Sequence, residues 1–302
     1  MELRHIRYFM AVAETGSLTE AAQRRLFTSQ PSLSRQIRDL EEEVGVPLLK
    51  RSPRGVDLTP AGRAFLDYAR LAVAQVEAAV EAARNAAQPA KQRLSLGFLT
   101  GEEMTWLPEV MRVLRGELPH IEVVVSSDYS PDLGAAVARG KLDAAFMRAE
   151  PAVDLAYRVV EEEPLVVLMP SDHRLAAQAS VRPEDLAGEP YIAMANKAKV
   201  LRSVIDAYLR TADVDLQPAQ EVDNPAMVMS LVASTRGIAL IPAYAKNLVP
   251  WSVVSRPLAG DAPTIGLVIG YNRANQSPVL HLLLSRVEEL VARVAEKSGS
   301  RP

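Results

Sequence analysis

The amino-acid sequence predicts an α/β protein of 302 residues that begins with an all-α segment closed by one hairpin. Three patterns predict it. Residues 2–58 carry apolar side chains at helical spacing, cut by capping residues and glycines. An apolar stripe without a breaker follows from Pro60 to Gln88. From Leu94 onward, short apolar runs alternate with helical patterns.

In the first segment Leu3, Ile6, Phe9, Met10 and Ala13 share one helix face that stops at Gly16. Ser17 is an N-cap, and Glu20 completes a capping box for a second helix through Ala21, Ala22 and Leu26. Ser29 or Gln30 opens a third helix, with Pro31 in the first turn, where a missing N–H costs nothing. Leu33, Ile37, Leu40 and Val44 form its apolar face and Gly45 ends it. Leu48–Leu49 and Val56–Leu58 then flank Arg51-Ser52-Pro53-Arg54-Gly55, a basic, turn-rich tip between two short strands.

Thr59 caps and Pro60 starts a long helix that reaches Gln88-Pro89. Phe65, Ala69, Ala72, Val76, Ala79, Ala83 and Ala86 form one stripe; Leu66, Ala69, Val73, Val76, Val80, Ala83 and Ala87 form a second beside it. Two adjoining stripes of mostly small residues favour pairing with another chain's helix over packing on the helix's own domain. Beyond it, strands are expected at 94–98, 121–126, 142–147, 164–169, 190–194, 237–242 and 265–271. Helices are expected near 103–116, 131–139, 199–211, 225–235 and 278–297. Such alternation indicates largely parallel sheets, and its length indicates two lobes.

Hydrophobic residues at 48% and charged residues at 24% exclude general disorder and fibrous classes. The absence of cysteine excludes disulfides, thiol catalysis and Cys-ligated metal centres, and fits a reducing compartment. No apolar run approaches the ~18 residues of a membrane span, and the charged start Met1-Glu2-Leu3-Arg4-His5 is unlike a signal peptide. A soluble, cytoplasmic protein without a membrane partner is expected. The net charge of −3 hides a local excess. Residues 24–54 hold Arg24, Arg25, Arg35, Arg38, Lys50, Arg51 and Arg54 against a sequentially clustered Asp39, Glu41, Glu42 and Glu43.

Helix, tight turn, helix and basic hairpin is the layout of a winged helix-turn-helix, whose second helix of the pair enters the major groove of DNA. Opposite its apolar face, the third helix carries Gln30, Ser34, Arg35 and Arg38; Gln and Arg make bidentate contacts with adenine and guanine edges. Ser32 at the helix N-terminus suits a phosphate. Arg51 and Arg54 on the hairpin suit the DNA backbone or minor groove. On charge alone, a merely solvated basic face explains these residues equally well; the capped helices, basic wing and pairing helix together favour DNA.

The runs "LRHIRYFMAVAETGSLTEAA", "TSQPSLSRQIRDLEEEVGVPLLKR" and "LTPAG" closely resemble the LysR-type transcriptional regulators. The resemblance covers the whole chain. It implies an N-terminal all-α winged helix-turn-helix over 1–59, a linker and dimerisation helix over 60–89, and a two-lobed effector-binding domain over 90–302 like type 2 periplasmic solute-binding proteins. Lobe I is expected at about 90–161 and 266–302, lobe II at about 162–265. The resemblance also implies a homotetramer built as a dimer of dimers, bound to paired DNA half-sites, with RNA polymerase as a further partner. Ser34, Arg35 and Arg54 match family positions that contact DNA. The family usually has two residues between its Ala-Ala and the next Leu; here Gln23-Arg24-Arg25 gives three, so the turn into the reading helix is expected to be reshaped.

In open α/β sheets ligands sit beyond the carboxyl ends of strands, at helix N-termini that favour anions. Four such places occur: Thr100-Gly101-Glu102, Ser130-Pro131, Asn196 to Lys199, and Asn224-Pro225. Lys199 and Arg148 are the expected cationic partners of a ligand carboxylate, with Thr100, Ser130 and Asn224 as donors. Each alone reads equally as a helix cap. The resemblance places Gly101, Ser130 and Arg148 at or near the effector pocket; the family often has Ser or Thr at the Gly101 position, so the hydroxyl here is expected from Thr100. Glu102 is expected at the mouth, where it would disfavour strongly acidic ligands. "EPLVVLMPSDHRLA" and "VVSRPLAG" are similar to the branch that responds to hydrocinnamic acids. The expected effector is therefore a small aromatic carboxylate, its ring against Leu99, Leu107 or Met227, controlling catabolic or transport genes.

Two other readings compete with this one. A solute-binding or transport protein explains residues 94–302 but not 1–88. An α/β enzyme needs a reactive constellation, and His5, His120, His173 and His281 are scattered, with no phosphate loop, nucleophile elbow or metal spacing. No catalysis, metal or resident cofactor is expected.

Overall fold

A computed structural model describes residues 1–52, 55–87, 93–151, 153–195 and 197–299. The chain divides into two compact units, Met1–Ala87 and Gln88–Pro302.

The first unit follows its local signals. Helix α1 (Leu3–Thr15) ends in a left-handed Gly16 (φ 64°). Helix α2 (Leu18–Glu20) is capped by the Ser17 side chain, which accepts from the Glu20 N–H, and runs into a π-helical turn over Ala21–Arg25. Helix α3 (Gln30–Val44) is capped by Ser29 and closed by Gly45 at φ 80°. Strands β1 (Leu49–Ser52) and β2 (Gly55–Leu58) pair antiparallel, Leu49 opposite Leu58. Thr59 caps α4 (Pro60–Ala87) by accepting from the Gly62 N–H at 2.9 Å. Phe9, Val12, Leu33, Ile37, Leu40, Leu48 and Leu66 form the core, and Phe65 meets Phe9 edge-on at 5.3 Å. Each fully buried side chain of this size contributes about 1.5–3 kcal/mol.

The second unit contains β3 (Arg93–Leu99), α5 (Glu103–Glu117), β4 (Glu122–Asp128), α6 (Ser130–Ala138), β5 (Ala144–Met147) and the long β6 (Ala156–Pro170). Then come β7 (Tyr191–Met194), α7 (Lys199–Thr211), β8 (Pro218–Val222), α8 (Pro225–Thr235), β9 (Ala239–Pro242), β10 (Val253–Pro257), β11 (Thr264–Tyr271), α9 (Pro278–Ser285) and α10 (Val287–Gly299). The sheet runs β4-β3-β5-β11-β6-β10, with β9 also paired to β6; β7 and β8 form a parallel pair apart.

The sheet is mixed, which corrects the largely parallel expectation. Among the described strands, the pairs β3/β4, β3/β5 and β7/β8 are parallel; β11 lies antiparallel to β5 and β6, and β6 to β9 and β10. Strands β8 and β10 were not expected. β8 is mostly exposed and polar, so it has no apolar period to detect. The expected C-terminal helix is two, broken at Arg286, where no proline or glycine marks the break.

Two large cores organise this unit, beside a smaller cluster of Leu133, Val137, Leu142 and Met147. One gathers Leu96, Phe98, Trp106, Phe146, Leu267 and Leu280; the other gathers Leu165–Met169, Ile192, Ile205, Val228 and Leu240. β6 belongs to both. Its first half is mostly exposed or half-buried, with Val160 turned into the first core, and Leu165–Met169 is buried throughout, as a strand covered on both faces requires.

Candidate functional site

In the first unit, α3 buries Leu33, Ile37 and Leu40 and turns Gln30, Ser32, Arg35 and Arg38 to solvent. Arg35 and Arg38 make no ion pair with any described residue, so both charges are offered outward. Ser34 differs from its expected outward reach. It is 8% exposed, because it follows Leu33 and stands one turn before Ile37. Glu41 leaves the acidic cluster by turning inward: its carboxylate accepts from the Leu48 and Leu49 N–H groups at 2.7 and 2.9 Å, holding the base of the wing. Arg51 lies on β1 opposite Val56; Arg54 lies outside the described residues. The wing docks closely on the α1–α2 turn: Val56 N–H donates to the Gly16 carbonyl at 2.8 Å, and Gly55 has no room there for a Cβ.

The additional residue before Leu26 is absorbed by the π-helical turn. Leu26 N–H reaches back to the Ala21 carbonyl at 3.0 Å, one residue further than an α-helix allows. The turn then passes through Phe27, 88% exposed and left-handed at φ 49°. α3 still starts at Gln30 behind its Ser29 cap.

The second unit holds a cleft between its two cores, about 500 Å³ with its open mouth included. The segments leading into α5, α6, α7 and α8 all line it: Leu99 and Thr100, Tyr129 and Ser130, Lys197 and Ala198, and Pro225. Leu99, Met194, Val200, Leu201, Ile241 and Pro242 make the walls apolar, and Arg148, Glu150 and Tyr244 supply polar groups.

Beneath the cleft Arg148, 4% exposed, sits between two buried carboxylates. Its Nη2 is 3.2 Å from Glu102 Oε1 and 2.5 Å from Glu163 Oε2. Burial, and then the neighbouring Glu163, push the Glu102 carboxyl well above the usual carboxylate range, against the pull of Arg148. One guanidinium cannot balance two buried anions, and the Glu102 carboxyl therefore favours its protonated form. Tyr244 closes the cluster: its N–H donates to Glu163 Oε1 at 3.2 Å and its hydroxyl to the Thr100 carbonyl at 3.3 Å. The ring lies over Gly101, where a Cβ would come within 2.8 Å of it and φ is 99°. Gly101 is therefore a packing position under Tyr244, and the hydroxyl on the lining comes from Thr100.

Arg148 Nη1, Glu150 Oε1 and the Tyr129 hydroxyl are buried without a hydrogen-bond partner among the described residues. Burial raises the Glu150 carboxyl, opposed by the charge of Lys199. At the rim Lys197 pairs with Asp132 at 3.2 Å and stands 5.8 Å over the Tyr129 ring. Among the described residues no group of acids and histidines is placed to hold a metal, and no helix is long and apolar enough to cross a membrane.

Comparison with known proteins decides the family. Residues 3–63 match the bacterial regulatory helix-turn-helix of the lysR family, and residues 87–292 match the LysR substrate binding domain. The chain belongs to the LysR family of transcriptional regulators. Among its relatives is the Hca operon transcriptional activator HcaR of Escherichia coli, 37% identical over 97% of this chain and 99% of HcaR. The regulator AlsR of Bacillus subtilis is 33% identical over 93% of each chain. Full-length BenM shares the fold with a TM-score of 0.58 at 27% identity, over 98% of both chains. The LysR regulator is thus a DNA-binding protein with an effector-binding domain, and its family is not one of enzymes.

Against the expected effector residues, the LysR fold brings Thr100, Ser130 and Arg148 to the cleft. Ser130 is the first residue of α6 rather than its cap, and its hydroxyl accepts from the Arg148 N–H at 2.9 Å. Glu102 is fully buried under the cleft, not at its mouth, because Arg148 draws it inward. Lys199 is exposed and off the lining; Lys197, two residues earlier, takes the rim. Asn224 is occupied as the cap of α8, accepting from the Met227 N–H at 2.8 Å. Asn196 lies outside the described residues. Of the expected ring contacts Leu99 lines the cleft; Leu107 packs against the first core and Met227 is exposed. Glu150, Glu163 and Tyr244 have no place in the sequence expectation, and Lys197 enters it only within the run Asn196 to Lys199. The strand-end rule applied to β9 points to Tyr244; Glu150 and Glu163 have no local signal.

Proposed function

We propose that this LysR regulator binds a small aromatic carboxylate in the cleft between its two cores. Occupancy changes how its winged domains engage promoter DNA and so controls catabolic or transport genes. One observation carries the reading: the approaches to four helix N-termini line a single apolar cleft that also holds a cationic side chain. Helix N-termini and a guanidinium attract an anionic head, and the walls of Leu99, Met194, Leu201 and Ile241 accept a ring. The similarity to HcaR supports the same branch.

On the DNA side, Gln30, Arg35 and Arg38 face the major groove, Ser32 meets a phosphate, and Arg51 and Arg54 of the wing meet the backbone or the minor groove. The winged domain ends at residue 59 and the linker at 89, and the lobes of the effector domain exchange near 161 and 266. Beyond Val73 the apolar stripe of α4 is exposed at Val76, Ala79 and Val80. That exposure supports pairing of linker helices in a cytoplasmic dimer of dimers that meets RNA polymerase at the promoter.

Footprinting on DNA flanking the protein's own gene, with and without a panel of aromatic acids, tests the reading. The expected result is a salt-sensitive footprint whose extent changes with one acid. An unchanged footprint across the panel, with no acid bound, would overturn it.

A further inference from the structure

The cleft has an acidic group that an aromatic carboxylate does not use. Glu150 is 6% exposed, lines the cleft, and leaves its Oε1 without a partner among the described residues. Its backbone is fixed: the Glu150 N–H donates to the Tyr157 hydroxyl at 3.3 Å, and that hydroxyl donates to the Glu150 carbonyl at 3.1 Å. Arg148, two residues earlier, lines the same cleft with Nη1 unpartnered. Two residues of chain span at most about 7 Å, so one small molecule can meet both side chains.

The two groups ask for opposite partners. Arg148 Nη1 is a donor only, and it suits the carboxylate of the proposed effector. As a carboxylate, the form that the charge of Lys199 favours, Glu150 only accepts, and an anionic head brought beside it would be repelled rather than bound. Lys197, the other cation on the lining, is committed to Asp132 at the rim. A buried acceptor with no partner costs free energy that a ligand donor recovers on binding, and sites of this kind discriminate strongly against analogues lacking the donor.

Resting on the effector-site reading above, we propose that Glu150 selects a bifunctional effector: an aromatic acid carrying a second group, a hydroxyl or an amine, that donates to Glu150 while the carboxylate meets Arg148. Calorimetric titration of the full-length protein tests it. The probes are 3-phenylpropanoic acid, its side-chain hydroxy, side-chain amino and ring-hydroxy derivatives, and the methoxy counterparts, which keep the bulk without the donor.

The wild type should bind one donor-bearing acid about ten- to a hundredfold more tightly than both the parent and the methoxy compound. Glu150→Leu should erase that preference while still binding the parent acid. Glu150→Gln keeps a neutral acceptor, so it should retain a preference that rests on a hydroxyl and lose one that rests on an ammonium. Equal binding of parent and donor-bearing acids by the wild type, or a preference that survives Glu150→Leu, would overturn the proposal and leave the aromatic-carboxylate reading standing. Failure of every acid to bind would instead remove that reading, and this inference with it.

Discussion

Arg35 and Arg148 are the same side chain in opposite surroundings. Arg35 stands on the exposed face of α3 and makes no ion pair with any described residue. Arg148 is buried between Glu102 and Glu163, with one nitrogen left over. The difference teaches what each partner demands. A long polyanion such as DNA is met at a wet surface, where an unpaired charge costs little and attracts from a distance. A small ligand in a dry cleft needs donors held still, and a buried charge is tolerable only when other charges and hydrogen bonds hold it.

Removing the two arginines in turn tests that contrast most severely. Arg148→Met leaves Glu163 and Glu102 buried without their cation, and a loss of about 3–5 kcal/mol in unfolding free energy is expected by urea denaturation. Arg35→Ala should leave stability within about 0.5 kcal/mol of wild type. Similar stability losses in both variants would erase the distinction.

The carboxyl next to Arg148 sharpens it through pH. Ionising Glu102 is harder in the folded protein than in the unfolded chain. Its contribution to stability is therefore intact below the ordinary carboxylate range and is lost as pH rises through the raised value. Thermal melts should show the wild type losing stability over that interval, while Glu102→Gln, which resembles the protonated form, should show a flatter profile. Superimposable profiles would contradict the burial argument.

Effects on DNA come next in size. Arg35→Ala should weaken operator binding by about 1–3 kcal/mol, measured by fluorescence anisotropy at matched salt, and relax preference at one base position. A uniform loss on all sequences would instead make Arg35 a phosphate contact. The smallest effect is expected from Asn224→Ala, about 1 kcal/mol of stability from the lost α8 cap, with ligand affinity unchanged in calorimetry. A loss of affinity there would return Asn224 to the ligand site.

The same contrast explains what the sequence made legible. In the first unit Gly16, Ser17, Ser29, Pro31, Gly45 and Thr59 each start or stop an element within a few residues of themselves, so its elements follow from local chemistry. Which basic residues of α3 face outward follows from the helical period; Ser34, expected outward, is buried because it borders the apolar stripe. Local signals also located the helix N-termini around the cleft. Its chemistry is set by partners far apart in sequence: Arg148 and Glu102 are 46 residues apart, Tyr244 and Glu163 are 81, and Tyr244 and Thr100 are 144. Such pairings leave no periodic trace. For this reason Glu102 was expected at the mouth and Lys199 was preferred to Lys197.

The central claim is that the cleft receives the signal and the winged domain delivers it. Filling the cleft without touching the DNA face tests this most directly. Ala198→Phe narrows the lining at the start of α7, and footprints of this variant and the wild type are compared with and without the active acid. The account predicts that both bind the operator and that only the wild-type footprint changes with ligand. A variant footprint that shifts as fully as the wild type's would contradict it.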